Sequence, residues 1–256
     1  MAEPTILLHR DGRVATITLN RPPLNILDIP MIARLGEVVA ELADDASLQL
    51  VVLRGVEDSA FSAGVAVQDH TPDKVREMLL SLHGTIRRLR DLDAITVAAV
   101  HGHCLGGGME LAMVCDMVIA TDDARFGQPE VDLGCFPPVG AALYPSRIGA
   151  GRALDLLVTG RTMTCREAEE MGLVARRVSA TALDKVAARL VEEVGGKSVA
   201  VSRLIKKAVR AGRDLPFGEA LAETERIYKE ELSQTEDMAE GVTAFLEKRR
   251  PVWRHR

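Results

Sequence analysis

The chain has 256 residues, 47% of them hydrophobic, enough to bury a substantial core in one large or two small domains. Its 32 Lys and Arg face 37 Asp and Glu, a net charge of -5, and only 3% of residues are aromatic. That balance offers nucleic acid neither phosphate attraction nor stacking surfaces, and no run of about 18 apolar residues marks a membrane span, so neither partner is expected.

Thr5 to His9 and Val14 to Leu19, two β-rich runs around Asp11-Gly12, predict a hairpin. Asp28 then caps a helix that carries Ile32, Leu35, Val39 and Leu42, with Pro30 in its first turn, where a missing amide costs little. Gln49 to Arg54 reads as a buried strand, Thr71-Pro72-Asp73 opens a helix with Val75, Met78, Leu79, Leu82 and Ile86, and Ile95 to Val100 is another buried strand. A Gly-rich turn leads into a helix through Cys115, and Met117 to Ala120 is a further strand. From Pro138 the pattern is almost wholly helical, apart from a strand within Leu173 to Val178. The last helices, near Ala182 to Glu193, Val199 to Arg210, Phe217 to Leu232 and Thr235 to Lys248, carry apolar stripes that need a surface to cover them, which predicts self-association. No linker divides the chain and no repeat period is visible, so residues 1–256 read as a single α/β domain, with a core over about 1–180 and a helical region over about 181–256.

Cys104, Cys115, Cys135 and Cys165 match neither a disulfide framework nor a zinc site and read as buried thiols in a reducing compartment. Met1-Ala2-Glu3-Pro4 carries no basic segment followed by an apolar run, so a cytoplasmic location is expected. The basic end (Lys248, Arg249, Arg250, Arg254 and Arg256) reads as a solvated tail.

His101-Gly102-His103-Cys104-Leu105-Gly106-Gly107-Gly108-Met109-Glu110 joins a buried strand to a helix, and the open amides of such a turn attract negative charge. Met109-Glu110 stands where a Walker loop needs Lys and Ser or Thr, and the Gly-x-Gly-x-x-Gly spacing is absent, so both phosphate readings fail. Glu110 lies one helical turn beyond Gly107. A carboxylate there opposes anion binding but suits proton transfer beside a developing oxyanion; a solvated helical acid is the competing reading. Glu130, with Asp132 as competitor, follows Pro129 on what should be a rigid loop, and Ala60-Phe61-Ser62-Ala63-Gly64-Val65 can supply another amide. His101 and His103 are the only close histidines and have no ligand carboxylate nearby, so no metal is expected, and Ser62 lacks the nucleophile elbow of a serine hydrolase.

Phe61-Ser62-Ala63-Gly64-Val65, Cys104 to Glu110 and Phe126-Gly127-Gln128-Pro129-Glu130, in this order, resemble the enoyl-CoA hydratase (crotonase) family, as do Leu19-Asn20-Arg21-Pro22 and Phe245-Leu246-Glu247-Lys248-Arg249. The resemblance covers essentially the whole chain. It implies a crotonase-like spiral of β-β-α units with a C-terminal helical trimerisation region, trimers often paired into hexamers, and an acyl-CoA thioester as substrate with no separate cofactor. By the same carry-over, the amides of Val65 and Gly107 form an oxyanion hole, Glu110 is the base and Glu130 the acid. Ala63, Ala66, Val67, His70, Phe136 and Pro137 are implied to line the acyl site, and Arg21 and Lys248 to meet the nucleotide. Many members carry Asp where Ala66 stands, which leaves the support of the Val65 amide open. Asn20 to Ile32, Asp69 to Asp73, Phe136-Pro137-Pro138 and Tyr228 to Leu232 are most similar to the branch that hydrates alicyclic dienoyl-CoA thioesters. Isomerases and hydrolases of the family commonly need one of the two acids, and an acyl-CoA binder without activity needs neither.

Overall fold

β1 (Ile6–Asp11) and β2 (Val14–Leu19) pair antiparallel as the expected hairpin, with Gly12 at φ +55° in the turn, where a side chain would be strained. The computed structural model describes residues 3–56 and 60–256, so Met1 and Ala2 of the N-terminal segment read above lie outside the described residues. Asp28 caps α1 (Ile29–Ala43) by accepting from Met31 N at 3.0 Å. β3 (Leu50–Gly55), α2 (Val75–Asp91) and β4 (Ile95–Val100) follow. α2 starts later than the Thr71-Pro72-Asp73 signal suggests, because Thr71, preceding a proline, is extended at φ -65° and ψ 152°.

Beyond β4 the path alternates between two sheets. β5 (His103–Leu105) leads into α3 (Gly107–Val114), β6 (Met117–Thr121) into β7 (Arg125–Gly127), and a 3-10 turn, Pro129–Leu133, precedes α4 (Pro138–Ile148) and α5 (Ala150–Thr159). Then come β8 (Thr162–Thr164), α6 (Cys165–Glu170) and β9 (Arg176–Val178), and finally α7 (Leu183–Gly195), α8 (Val199–Gly212), α9 (Phe217–Glu230) and α10 (Glu236–Leu246). The larger sheet runs β1-β2-β3-β4-β6-β9, parallel from β2 onward, and the smaller runs β5-β7-β8. Isolated bridges Leu27–Val65 and Ser62–Cys104 extend the smaller sheet's pattern to the earlier turns of the chain.

One unit therefore repeats: a long strand, a short strand or bridge, then a helix. The repeat is invisible as residues because a three-residue strand is held by backbone ladders and carries no side-chain period of its own. Glu130, expected on a rigid loop, correspondingly sits in the 3-10 turn.

The continuous apolar run of β3 is explained by burial on both faces. Val51 and Leu53 join Ile17, Ala98 and Val118 in the main core beneath α1 and α2, while Leu50 and Val52 join Val97, Ile119, Leu183 and Leu190 beneath α7. α8 is tied to the sheet by Lys206, only 6% exposed, whose Nζ donates to Ala94 O at 2.6 Å and pairs with Asp116 at 2.7 Å.

Two expectations are corrected. The basic tail is not simply solvated: Arg249 pairs with Glu240, Arg256 with Glu236, and the buried Asp237 accepts from Arg254 N and His255 N, so the end of the chain is folded onto α10. Cys104, Cys115 and Cys165 are buried free thiols, but Cys135 is only half-buried because the turn that carries it lies at the surface.

Candidate active site

Each turn of the repeat leaves the smaller sheet at the same level, which brings together segments far apart in sequence. Ser62 N donates to His103 O at 3.0 Å and Leu105 N to Ser62 O at 2.9 Å; Gly106 N donates to Gly127 O at 2.9 Å. The residues just past these bonds are Gly64-Val65, Gly107 and Gln128 to Glu130. Ser62, buried, holds the first segment by donating to Asn25 O at 2.8 Å and accepting from Gly64 N at 3.1 Å.

The glycines permit this closeness. A Cβ on Gly106, at φ +52°, would stand 2.8 Å from Glu130 Oε1, and one on Gly108 would stand 2.8 Å from Ser62 O. A Cβ on Gly107 would lie 2.7 Å from Val65 Cγ2 and 3.8 Å from Val65 N, so the two amides named from the sequence are neighbours. Neither donates to another backbone group among the described residues.

Glu110 rides the first turn of α3 with 2% exposure, and its Oε1 accepts from Gly140 N at 2.9 Å. Burial pushes its carboxyl above the ordinary range, while the amides of Gly140 and Val139 oppose the rise by stabilising the carboxylate. For Glu130, burial, opposed by its own amide and reinforced by the charge of Glu110, raises the carboxyl from 4.5 to about 7. The charge of Glu110 thus reaches Glu130 and favours its protonated form. Gln128 lies between their supports: one end of its amide reaches Glu130, and a Cβ on Gly140 would stand 3.4 Å from the other.

Ala66 is buried, Ala63 half-buried, and His70 folds back with Nδ1 3.1 Å from Ala66 O, a contact that ties together the loop after Val65. Val67 is exposed, Phe136 is 67% exposed and Pro137 is buried. Arg21 is engaged by Asp28 at 2.5 Å and by Ile26 O at 3.1 Å. Lys248 follows the end of α10, which packs against α8. Asp132 Oδ2 lies near Gly160 instead, 3.6 Å from a Cβ placed there. No group of three or more His, Cys, Asp or Glu among the described residues could hold a metal ion, and no helix of those residues is long and apolar enough to cross a membrane.

Asn25, Gln128 and Tyr144 were missed as parts of the site. Asn25, at φ 47°, donates from Nδ2 to Ala60 O at 2.6 Å and so braces the strand leading to Val65. Its only sequence signal is an Asn in the turn after Pro22-Pro23.

A family model described as enoyl-CoA hydratase/isomerase matches residues 9–256. A probable enoyl-CoA hydratase of Mycobacterium bovis is 38% identical, with 100% of each chain covered. A cyclohexa-1,5-dienecarbonyl-CoA hydratase of Thauera aromatica is 37% identical, over 98% of this chain and 96% of its own. The crystal structure of an enoyl-CoA hydratase from Mycobacterium smegmatis superposes with a TM-score of 0.91 at 33% identity, covering 98% of this chain and 99% of that one. With one buried and one half-buried acid at the exits of a β-β-α spiral and a match along nearly its full length, the chain belongs to the enoyl-CoA hydratase/isomerase family.

Proposed function

We propose that the protein adds water across the conjugated double bond of an acyl-CoA thioester. The observation that carries this reading is the approach of buried Glu110 and half-buried Glu130 to the Val65 and Gly107 amides. Glu110, with amide donors favouring its charge, takes a proton from water as the oxygen bonds to the β-carbon; electrons move to the thioester oxygen, which accepts from the two amides. Glu130, raised to about 7, delivers a proton to the α-carbon as the enolate collapses. One water enters, and Glu110 returns its proton to Glu130 through solvent. The presence of both acids separates this from isomerisation, which leaves mass unchanged, and from acyl-CoA binding without turnover.

The acyl group proposed is an alicyclic dienoyl thioester, on the strength of the segments quoted above and the Thauera relative. Ala63, Ala66, Val67, His70, Phe136 and Pro137 would line it, with Arg21 and Lys248 toward the nucleotide. Exposed Ile205, Val209, Phe217, Leu221, Phe245 and Leu246 supply an apolar helical surface for association into trimers or hexamers. A cytoplasmic location completes the reading. The test is incubation with cyclohexa-1,5-diene-1-carbonyl-CoA and crotonyl-CoA side by side, followed by mass. A gain of one water with the cyclic thioester preferred supports both parts; preference for crotonyl-CoA removes the ring specificity, and turnover of neither removes hydration.

A further inference from the structure

Tyr144 lies on α4, and no step above uses it. It is fully buried, as is Gln128, and its hydroxyl is hydrogen-bonded to the Gln128 side-chain amide. One orientation of that amide satisfies every group: Oε1 accepts from the Tyr144 hydroxyl, while Nε2 donates to Glu130 Oε1 at 3.2 Å, to Glu130 Oε2 at 3.1 Å and to Gly106 O at 3.3 Å. The reverse would aim Oε1 at the Gly106 carbonyl and at the ionised Glu130 carboxylate, neither of which donates. Burial, then the charge of Glu110, hold the phenol well above its usual range, so it keeps its proton to donate.

We propose that Tyr144 is a positioning residue that acts through Gln128: by donating to Oε1 it locks the amide with Nε2 against the Glu130 carboxylate and the Gly106 carbonyl. The same lock then fixes the acid and the turn that presents the Gly107 amide. Only the kinetic readout rests on the hydration reading; the geometry does not.

Tyr144→Phe keeps the ring and removes the donor. The amide is then free to turn, and Oε1 facing Glu130 favours the protonated carboxyl. The other groups around Glu130 are Glu110 from α3 and Cys135 from the next turn, with Cys104 of β5 behind Tyr144; none replaces the lost donor.

The experiment compares wild type, Tyr144→Phe, Gln128→Leu and the double variant. For crotonyl-CoA or the cyclic thioester, whichever is turned over, Tyr144→Phe is expected to lower kcat about tenfold, roughly the worth of one hydrogen bond, with KM within about twofold. The limb at which activity falls with rising pH should move up by about one pH unit. In the Gln128→Leu background, Tyr144→Phe should add nothing. Additive losses or an unmoved limb overturn the proposal, because a purely structural tyrosine would give both. Carbon-13 NMR of the Glu130 carboxyl without substrate should show the same upward displacement. Its presence without turnover in wild type would refute hydration and keep the lock, whereas turnover without displacement would do the reverse. Should the Phe variant not fold, 3-fluorotyrosine, a stronger donor, must move the Glu130 midpoint down; no movement refutes the lock.

Discussion

Replacing Glu130 by Gln should stabilise the fold while it disables the proposed chemistry, and the stabilisation should exist only on the alkaline side. Burial, with Glu110 nearby, raises the carboxyl from 4.5 to about 7 in the folded chain. Below pH 4.5 both folded and unfolded chains hold this proton, so the group adds no pH dependence. Between 4.5 and about 7 the folded chain binds more protons than the unfolded one, so stability falls as pH rises, and above about 7 the full penalty is present.

At about 1.4 kcal/mol per pH unit, that rise corresponds to roughly 3 kcal/mol. Solvent at a half-buried group reduces it to about 2 kcal/mol. Gln keeps the shape and carries no charge. Urea unfolding of wild type and variant at one protein concentration, from pH 4.5 to 8.5, isolates the effect, because any packing change from the amide is constant with pH. The variant should gain about 2 kcal/mol on wild type between the ends of that range. A difference that is flat with pH, or that favours wild type as pH rises, would refute the claim that this carboxyl is held protonated by its surroundings.

Glu110→Gln should lower kcat by about 10²- to 10⁴-fold with little change in KM, measured with whichever thioester is turned over. Gly108→Ala places a methyl 2.8 Å from Ser62 O and should cost about 1–3 kcal/mol in denaturant unfolding, since backbone must move to admit it. Asp116→Ala leaves Lys206 buried without its carboxylate and should cost about 3–5 kcal/mol, whereas a loss under about 1 kcal/mol would show that the ammonium finds water. Phe136→Ala, at an exposed side chain, should change unfolding by no more than about 0.5 kcal/mol but alter the ratio of kcat/KM for cyclic and linear thioesters; an unchanged ratio removes Phe136 from the acyl site.

α1 was legible because one helix satisfies three independent signals: the Asp28 cap, Pro30 in the first turn and the apolar spacing from Ile32 to Leu42. β3 and β4 were legible as continuous apolar runs because both faces of the sheet are covered. β5, β7 and β8 were not, since three residues hold too little pattern to distinguish strand from turn. In the site, the glycines and both glutamates stood out as residue types that disturb their surroundings. Gln128 and Tyr144 did not: a neutral polar side chain inside an apolar segment reveals its purpose only when its hydrogen-bond partner, distant in sequence, is in view. Tyr144 resembled one more core residue of α4.

The arrangement of the site follows from the repeat more than from any one side chain. Val65, Gly107 and Glu130 each stand just past a short strand or bridge of the smaller sheet, so their relative heights are set by the Ser62–Cys104 bridge and the Cys104–Phe126 pairing. A slip of one residue in either would exchange inward and outward positions and carry an amide or an acid away from the others. Side chains then hold the alignment: Ser62 on the Val65 side, Gln128 on the Glu130 side, each buried and each hydrogen-bonded to the neighbouring segment. Core substitutions beneath α1 should therefore lower stability with little effect on the balance between the two acids. Substitutions at Ser62 or Gln128 should cost about 1–3 kcal/mol for the buried partners left unpaired and should in addition disturb that balance, because these side chains hold alignment.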